Sequence, residues 1–164
     1  MLLRALRFVA GAAAGFLFWW YATPVYNDFI ASAAVQILQI DKRLCGPRAD
    51  VAGRSVFVQP RLCVAPHATI PADQLTYNII LLAALFAMGG RRLIAFVISC
   101  VVVVVTHILS LAVSIESTYA RIANYSLAEQ RFWVGAEFFW RLAGMFAIVF
   151  ACWWLGQSNR RTAK

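Results

Sequence analysis

Residues 93–115 read LIAFVISCVVVVVTHILSLAVSI and contain no Asp, Glu, Lys or Arg. About 20 consecutive apolar residues let a helix cross the ~30 Å hydrocarbon core of a bilayer, so this stretch predicts a transmembrane helix. The whole chain has the same character: of 164 residues, 62% are hydrophobic and 13% are charged, and the mean hydropathy is +0.72. A soluble domain is about half apolar and about a quarter charged, so a soluble protein is excluded.

Four apolar runs of this kind are separated by polar segments. We expect transmembrane spans over residues 5–22, 75–90, 93–115 and 134–156. The predicted fold class is therefore an all-α integral membrane protein, a four-transmembrane-helix bundle built as a single domain over residues 1–164. Gly135 and Gly144 in the last span are interpreted as places where helices pack closely.

The segment 23–74 is expected to form a loop region outside the membrane, with an amphipathic helix at its start. Thr23 and Pro24 are typical of an N-cap followed by the first residue of a helix. Apolar residues then recur at helical spacing and predict a helix lying on the outer leaflet: Val25, Phe29, Ala33, Ile37 and Ile40. Further on, the β-prone pieces Ser55–Val58 and Leu62–Val64 predict a small hairpin.

The net charge of +8 is distributed in a way that indicates orientation. Three segments carry basic residues without any acidic ones: Arg4 and Arg7, Arg91 and Arg92, and Arg160, Arg161 and Lys164. Because cytoplasmic loops are rich in Lys and Arg, both termini and the turn at 91–92 are predicted to be cytoplasmic, as in a multi-pass protein of a bacterial inner membrane. The expected partners are membrane lipids and other membrane-protein subunits, and nucleic acid is not expected.

Ionisable side chains within predicted spans are the first candidates for function, because they are costly to keep there. His107, Glu137 and Arg141 are expected in the outer half of the membrane at similar depth, with Asn78 near them. Glu137 and Arg141 are spaced i, i+4, which suits either a self-neutralising pair or an Arg141 that binds a carboxylate or phosphate together with Asn78. His107 is either a hydrogen-bonded interhelical residue or a catalyst.

The four cysteines divide into two pairs. Cys100 and Cys152 fall within spans and are expected to behave as small apolar residues. Cys45 and Cys63 fall in the outer loop, where an oxidising compartment favours a disulfide that would stabilise the loop by about 3 kcal/mol. The alternative is a reactive Cys63 thiol, activated by neighbouring basic groups. No phosphate-binding loop, metal-ligand cluster or haem motif occurs, so no cofactor and no metal are predicted.

The stretch from Ala31 to His107 resembles the exosortase/archaeosortase group of membrane proteins. The resemblance rests on TPVYNDFIASAAVQILQI after the first span, on the extended segment RSVFVQPRLCV, and on LTYNIILLAALFAMGGRRL before the long apolar span. Enzymes of this group recognise C-terminal sorting tails and use Cys, Arg and His. Here the position of the nucleophile, near Leu75 and Thr76, holds no Cys, so the resemblance implies a non-catalytic, exosortase-associated membrane protein.

Three functions follow from these features. The favoured one is a non-enzymatic accessory subunit of an envelope membrane complex, in line with protein sorting of the exosortase type. The second is an intramembrane enzyme, similar to a cysteine transpeptidase or protease, that acts at the outer leaflet with His107, Glu137, Arg141 and Cys63 as candidate catalytic residues. The third is a lipid-binding membrane protein in which Arg141 holds the headgroup.

Overall fold

The computed structural model describes residues 1–39, 44, 46–60, 67–90, 93–123 and 125–158. The chain is mostly helical. Its elements are α1 (Leu2–Leu38), β1 (Pro47–Ala52), β2 (Ser55–Pro60), β3 (Ala68–Pro71), α2 (Asp73–Thr76), α3 (Asn78–Gly89), α4 (Leu93–Ile122), α5 (Leu127–Phe139), a π-helical turn (Trp140–Gly144) and α6 (Met145–Ser158).

Three of the helical segments are long and apolar enough to cross a membrane: Leu2–Leu38, Leu93–Ile122 and Leu127–Ser158. The fourth predicted span, 75–90, is different. The turn at Tyr77 divides it into α2 and α3, and the 12 residues of α3 give a length of only about 18 Å. Asp73–Gly89 is thus one of the shorter apolar helices, and the span over 75–90 stays a prediction, whereas α4 begins at the predicted residue, Leu93.

The first helix runs without a break through Thr23 and Pro24, so the prediction of a separate amphipathic helix starting there is wrong. Thr23 does not cap a helix. Its hydroxyl donates a hydrogen bond to the backbone carbonyl of Trp19, one turn earlier in α1. Proline lacks the N–H that would bond to the carbonyl of Trp20, but side-chain hydroxyls and neighbouring elements make proline tolerable in membrane helices.

Between α1 and α2 the chain forms a three-stranded antiparallel sheet in the order β1-β2-β3, so the all-α prediction is incomplete. Ala52 pairs with Ser55 across a tight turn in which Gly53 has a φ of 63°, a left-handed conformation that glycine adopts at no steric cost. The predicted strand Ser55–Val58 lies within β2. The predicted strand Leu62–Val64 lies outside the described residues.

Helix α1 packs closely on α3 through two glycines one turn apart. A Cβ added to Gly11 would lie 2.5 Å from the Cβ of Ala87, and one added to Gly15 would lie 2.9 Å from the Cβ of Ala83. The spacing is that of the GxxxG pattern, in which small residues let two helix backbones approach each other in a membrane. This contact holds the short α3 against the N-terminal half of α1.

The last helical segment begins earlier than predicted and contains a π-helical turn. The Ser126 hydroxyl accepts a hydrogen bond from the backbone N–H of Glu129, and the backbone N–H of Ser126 donates one to the Glu129 carboxylate, so this capping box fixes the start of α5. Contrary to the prediction from the sequence, Gly135 and Gly144 do not mark close contacts with another helix. A Cβ on Gly135 would meet nothing within 4 Å, and one on Gly144 would meet the indole of Trp140 in the same helical segment.

The buried apolar side chains form two clusters along the bundle. One joins the sheet to the C-terminal halves of α1 and α4 and includes Ile30, Val56, Leu111 and Ile115. The other joins α3, α4 and α6 near the opposite end of the bundle and includes Leu82, Phe86, Val103 and Val149. The buried polar residues Asn27, Asn78 and His107 belong to neither cluster.

Candidate functional site

His107 is the most deeply buried of the predicted site residues that the structure describes, with none of its surface exposed. Its Nε2 lies 2.5 Å from Oδ1 of Asn78 at the start of α3, and its Nδ1 lies 2.6 Å from the hydroxyl of Tyr26 on α1. Because Oδ1 can only accept, Nε2–H donates to Asn78, and Nδ1 accepts from the Tyr26 hydroxyl. The imidazole thus joins three helices.

The environment of His107 contains further buried polar groups. Within the part of the chain that the structure describes, both side-chain polar atoms of Asn27, Nδ2 of Asn78 and the hydroxyl of Ser110 have no hydrogen-bond partner. Asn27 follows Tyr26 in α1, and Ser110 lies about one helical turn beyond His107 in α4. Such groups ordinarily pair with each other or with buried water, so this region is a polar layer within an apolar bundle.

Glu137 is the centre of a second site, formed by α4 and α5. Its Oε1 lies 2.9 Å from Nη2 of Arg141, which confirms the predicted i, i+4 pair. Its Oε2 accepts hydrogen bonds from the Ser117 hydroxyl at 2.7 Å and from Nη2 of Arg121 at 3.0 Å. The Glu137 side chain is 11% exposed, whereas those of Arg141 and Arg121 are 35% and 56% exposed.

The structure separates the two sites that the sequence was expected to bring together. The partners of Glu137 on α4, Ser117 and Arg121, lie 10 and 14 residues beyond His107, so at least about 15 Å further along the helix. Asn78 joins His107 as predicted, but no hydrogen bond or ion pair connects Glu137 or Arg141 to His107 among the described residues. The expectation that all three ionisable side chains converge at one depth is therefore wrong.

The Glu137 site opens into a surface cleft of about 410 Å³. Thr69 and Pro71 of β3 form one wall, and Thr118, Arg121 and Arg141 are on the other side. The Nε atom of Arg141 is buried and has no partner within the described ranges. Two guanidinium groups share one carboxylate here, which leaves a net positive charge at the cleft.

Sequence reasoning missed Tyr26, Ser117 and Arg121. Ser117 and Arg121 lie i, i+4 on α4, and Arg121 Nη2 also lies 3.3 Å from the Ser117 hydroxyl. Their helical spacing is a readable signal, but both residues lie beyond residue 115, where the predicted span ends. Tyr26 gave no such signal, because 81 residues separate it from His107.

The remaining candidates give no further chemistry. Cys63 and Cys45 lie outside the described residues, so both the disulfide and the reactive thiol remain predictions. Cys100 and Cys152 are free and half-buried, as expected for thiols within helices. Among the described ranges, no three His, Cys, Asp or Glu side chains lie together in a way that could hold a metal ion.

Comparison of the chain with protein-family models, with curated proteins and with solved structures finds no match.

Proposed function

We propose that this chain is a non-catalytic subunit of a larger membrane assembly, in a bacterial inner membrane with both termini on the cytoplasmic side. The observation that carries the proposal is how the candidate polar groups are used. His107 is bonded on both ring nitrogens, and Glu137 is bonded to three side chains. A general base or acid needs a proton-transfer site within reach of a substrate, whereas these groups connect helices of the protein itself.

The surface of α1 supports a role in binding another protein. Val25, Phe29 and Ile37, named here the outer stripe, are 78%, 56% and 42% exposed. They lie along one side of α1 at intervals of about one or two turns, as the sequence predicted. Asn27, Ile30 and Ala34 face the interior instead.

Lipid tails cannot cover the whole outer stripe, because α1 is longer than the hydrocarbon core is thick. Ile37 is 29 residues beyond Phe8, which corresponds to about 44 Å along a helix, and the hydrocarbon core measures only ~30 Å. Exposed apolar surface outside that core is typical of a protein-binding site. We infer that the outer stripe contacts another membrane protein, and the resemblance described above adds a sorting enzyme of the exosortase group as a candidate.

Site-specific photo-crosslinking in cells tests this proposal. A photoreactive amino acid at Phe29 should give a protein adduct of one defined mass, and the same residue at the neighbouring Asp28, which is exposed on a polar side of α1, should not. Light scattering of the protein purified in mild detergent should show a particle larger than the 18.2 kDa chain. Adducts with lipid alone, together with a monodisperse monomer, would contradict the proposal.

A second function is favoured by the cleft at Glu137. Two arginines around one carboxylate, with the buried Nε of Arg141 unpaired among the described residues, provide a site for an anionic group such as a peptide carboxylate or a phosphate. The experiment is equilibrium binding of a peptide with a free C-terminal carboxylate and of its amidated form. The carboxylate should bind more tightly, Arg121→Gln should abolish the difference, and Arg131→Gln, which changes an exposed arginine outside the cleft, should not. Equal binding of both peptides would exclude this role.

A further inference from the structure

A second and larger cleft lies at the opposite end of the bundle, between α1, α3 and α4. Its volume is about 840 Å³, within the ~300–1,000 Å³ that is usual for small-molecule sites. The floor is formed by Gly11, Ala14 and Ala83, and the aromatic rings of Phe86 and Phe96 line another side. This space is separate from the outer stripe and from the cleft at Glu137.

The sequence explains why the space is open. Ala14 and Ala83 have side chains too small to fill the junction of three helices, and α3 ends at Gly89. Gly11 lies where the backbones of α1 and α3 are in close contact. Phe86 and Phe96 pack edge-to-face on each other, with ring centroids 5.4 Å apart, and so hold the wall in place. The lining is therefore apolar and well supported.

Among the described residues that line this cleft, Arg7 is the only charged one. Arg7 precedes Gly11 by four residues and Ala14 by seven, so the three lie on one face of α1, with Arg7 nearest to the N-terminus of the helix. Gly90 and Leu93 also line the cleft, and the two residues between them in the sequence are Arg91 and Arg92.

The sequence places no acidic residue near these arginines. All seven acidic residues fall between positions 28 and 137, outside the N-terminal segment that carries Arg7 and outside the turn between α3 and α4. Arg7 has no acidic partner within the described part of the chain. This end of the molecule therefore has apolar space next to uncompensated positive charge.

We propose that this cleft binds an anionic phospholipid of the inner leaflet, with one acyl chain against Ala14 and Phe86 and the phosphate at Arg7. The occupant follows from complementarity. An acyl chain matches the apolar lining, and a headgroup with net negative charge matches the arginine, whereas a zwitterionic headgroup provides no net charge to attract it. The site lies at the opposite end of the bundle from the outer stripe and does not depend on a protein partner.

Native mass spectrometry of the full chain in mild detergent tests the proposal. Dioleoyl phosphatidylglycerol and dioleoyl phosphatidylcholine are added at equal concentration, and the lipid-bound fractions are compared. Ala14→Phe fills the cleft, and Ala13→Phe places the same ring on the neighbouring exposed position outside it. Arg7→Gln removes the charge at the cleft, and Arg4→Gln removes an exposed charge that does not line it.

We expect phosphatidylglycerol to be retained preferentially by the unmodified chain and by the Ala13→Phe variant, and to be lost from Ala14→Phe. Arg7→Gln should weaken its binding about fivefold, and Arg4→Gln by less than twofold. The thermal unfolding midpoint of each variant confirms that it is folded, and the arginine pair still decides the question if Ala14→Phe unfolds. Equal retention of both lipids, or equal effects within each matched pair, would overturn the proposal.

Discussion

Replacing Tyr26 by Phe should destabilise the protein, because it removes one hydroxyl and leaves the rest of the ring in place. The lost group donates to Nδ1 of His107 over 2.6 Å, and His107 is fully buried. A buried acceptor left without its donor costs about 1–3 kcal/mol. Interhelical hydrogen bonds in membrane proteins contribute less, about 0.6 kcal/mol on average and about 1.7 kcal/mol at most. We therefore expect a loss of about 1–1.5 kcal/mol.

The loss should depend on His107, and a double-mutant cycle tests this. With His107→Leu in the background, no acceptor remains for the Tyr26 hydroxyl, so Tyr26→Phe should then cost little or nothing. The difference between the two backgrounds, a coupling of about 1 kcal/mol, is the part of the loss that belongs to the hydrogen bond. Tyr21→Phe is the matched control, since Tyr21 is 78% exposed, and it should change stability by less than about 0.5 kcal/mol.

The assay is equilibrium unfolding in mixed micelles, followed through the fluorescence of the chain's six tryptophans. Additive losses, within about 0.3 kcal/mol, would refute the argument that Tyr26 and His107 form one stabilising unit. A loss equal to that of Tyr21→Phe would refute it as well, because the buried and the exposed hydroxyl would then be equivalent.

Three other predictions concern the packing and covalent structure of the chain. Gly15→Ala should lower the free energy of unfolding by about 1–3 kcal/mol, because the added Cβ would meet α3. Gly135→Ala, whose Cβ would meet nothing, should raise that free energy by about 0.5–1 kcal/mol. If both variants lower it in the same unfolding assay, the packing of α1 on α3 is contradicted. Ser126→Ala removes the cap of α5 and should cost about 1 kcal/mol by thermal unfolding, and no change would show that the capping box is not formed in solution. If Cys45 and Cys63 form the predicted disulfide, mass spectrometry after alkylation should count two more reactive thiols with reductant than without it, and four reactive thiols under both conditions would exclude the disulfide.

The fold was predictable wherever one strong local signal decided it. The uninterrupted apolar run fixed the start of α4 at Leu93, as the structure has it. It did not fix the end, because α4 continues through Glu116 and Arg121. Glu116 accepts a hydrogen bond from Tyr125, which lies between α4 and α5, and Arg121 donates one to Glu137 on α5. Ser126 and Glu129 have the spacing of a capping box, which indicates the start of α5 from the sequence alone. Pro24 suggested a boundary that does not exist, because the surrounding α1 packs against other elements on both sides of it.

The candidate site was predictable only within a single helix. The Glu137–Arg141 pair follows from i, i+4 spacing and is confirmed. The partners of His107 come from helices 81 and 29 residues away, and apolar periodicity carries no information about which helix faces which. The predicted common depth of His107, Glu137 and Arg141 is wrong for a related reason, because α4 and α5 extend beyond the ends of their apolar runs.

The turn between β1 and β2 has a further consequence for how the protein sits in a bilayer. The guanidinium of Arg54, next to Gly53 in this turn, lies 4.0 Å from the ring centre of Trp20 and 5.4 Å from that of Trp19. Tryptophans prefer the level of the lipid headgroups, so they tie the tip of the sheet to that level. In the proposed membrane orientation, a partner protein that binds the sheet would therefore lie at a constant distance from the lipid surface, even where the helices tilt to match the bilayer thickness.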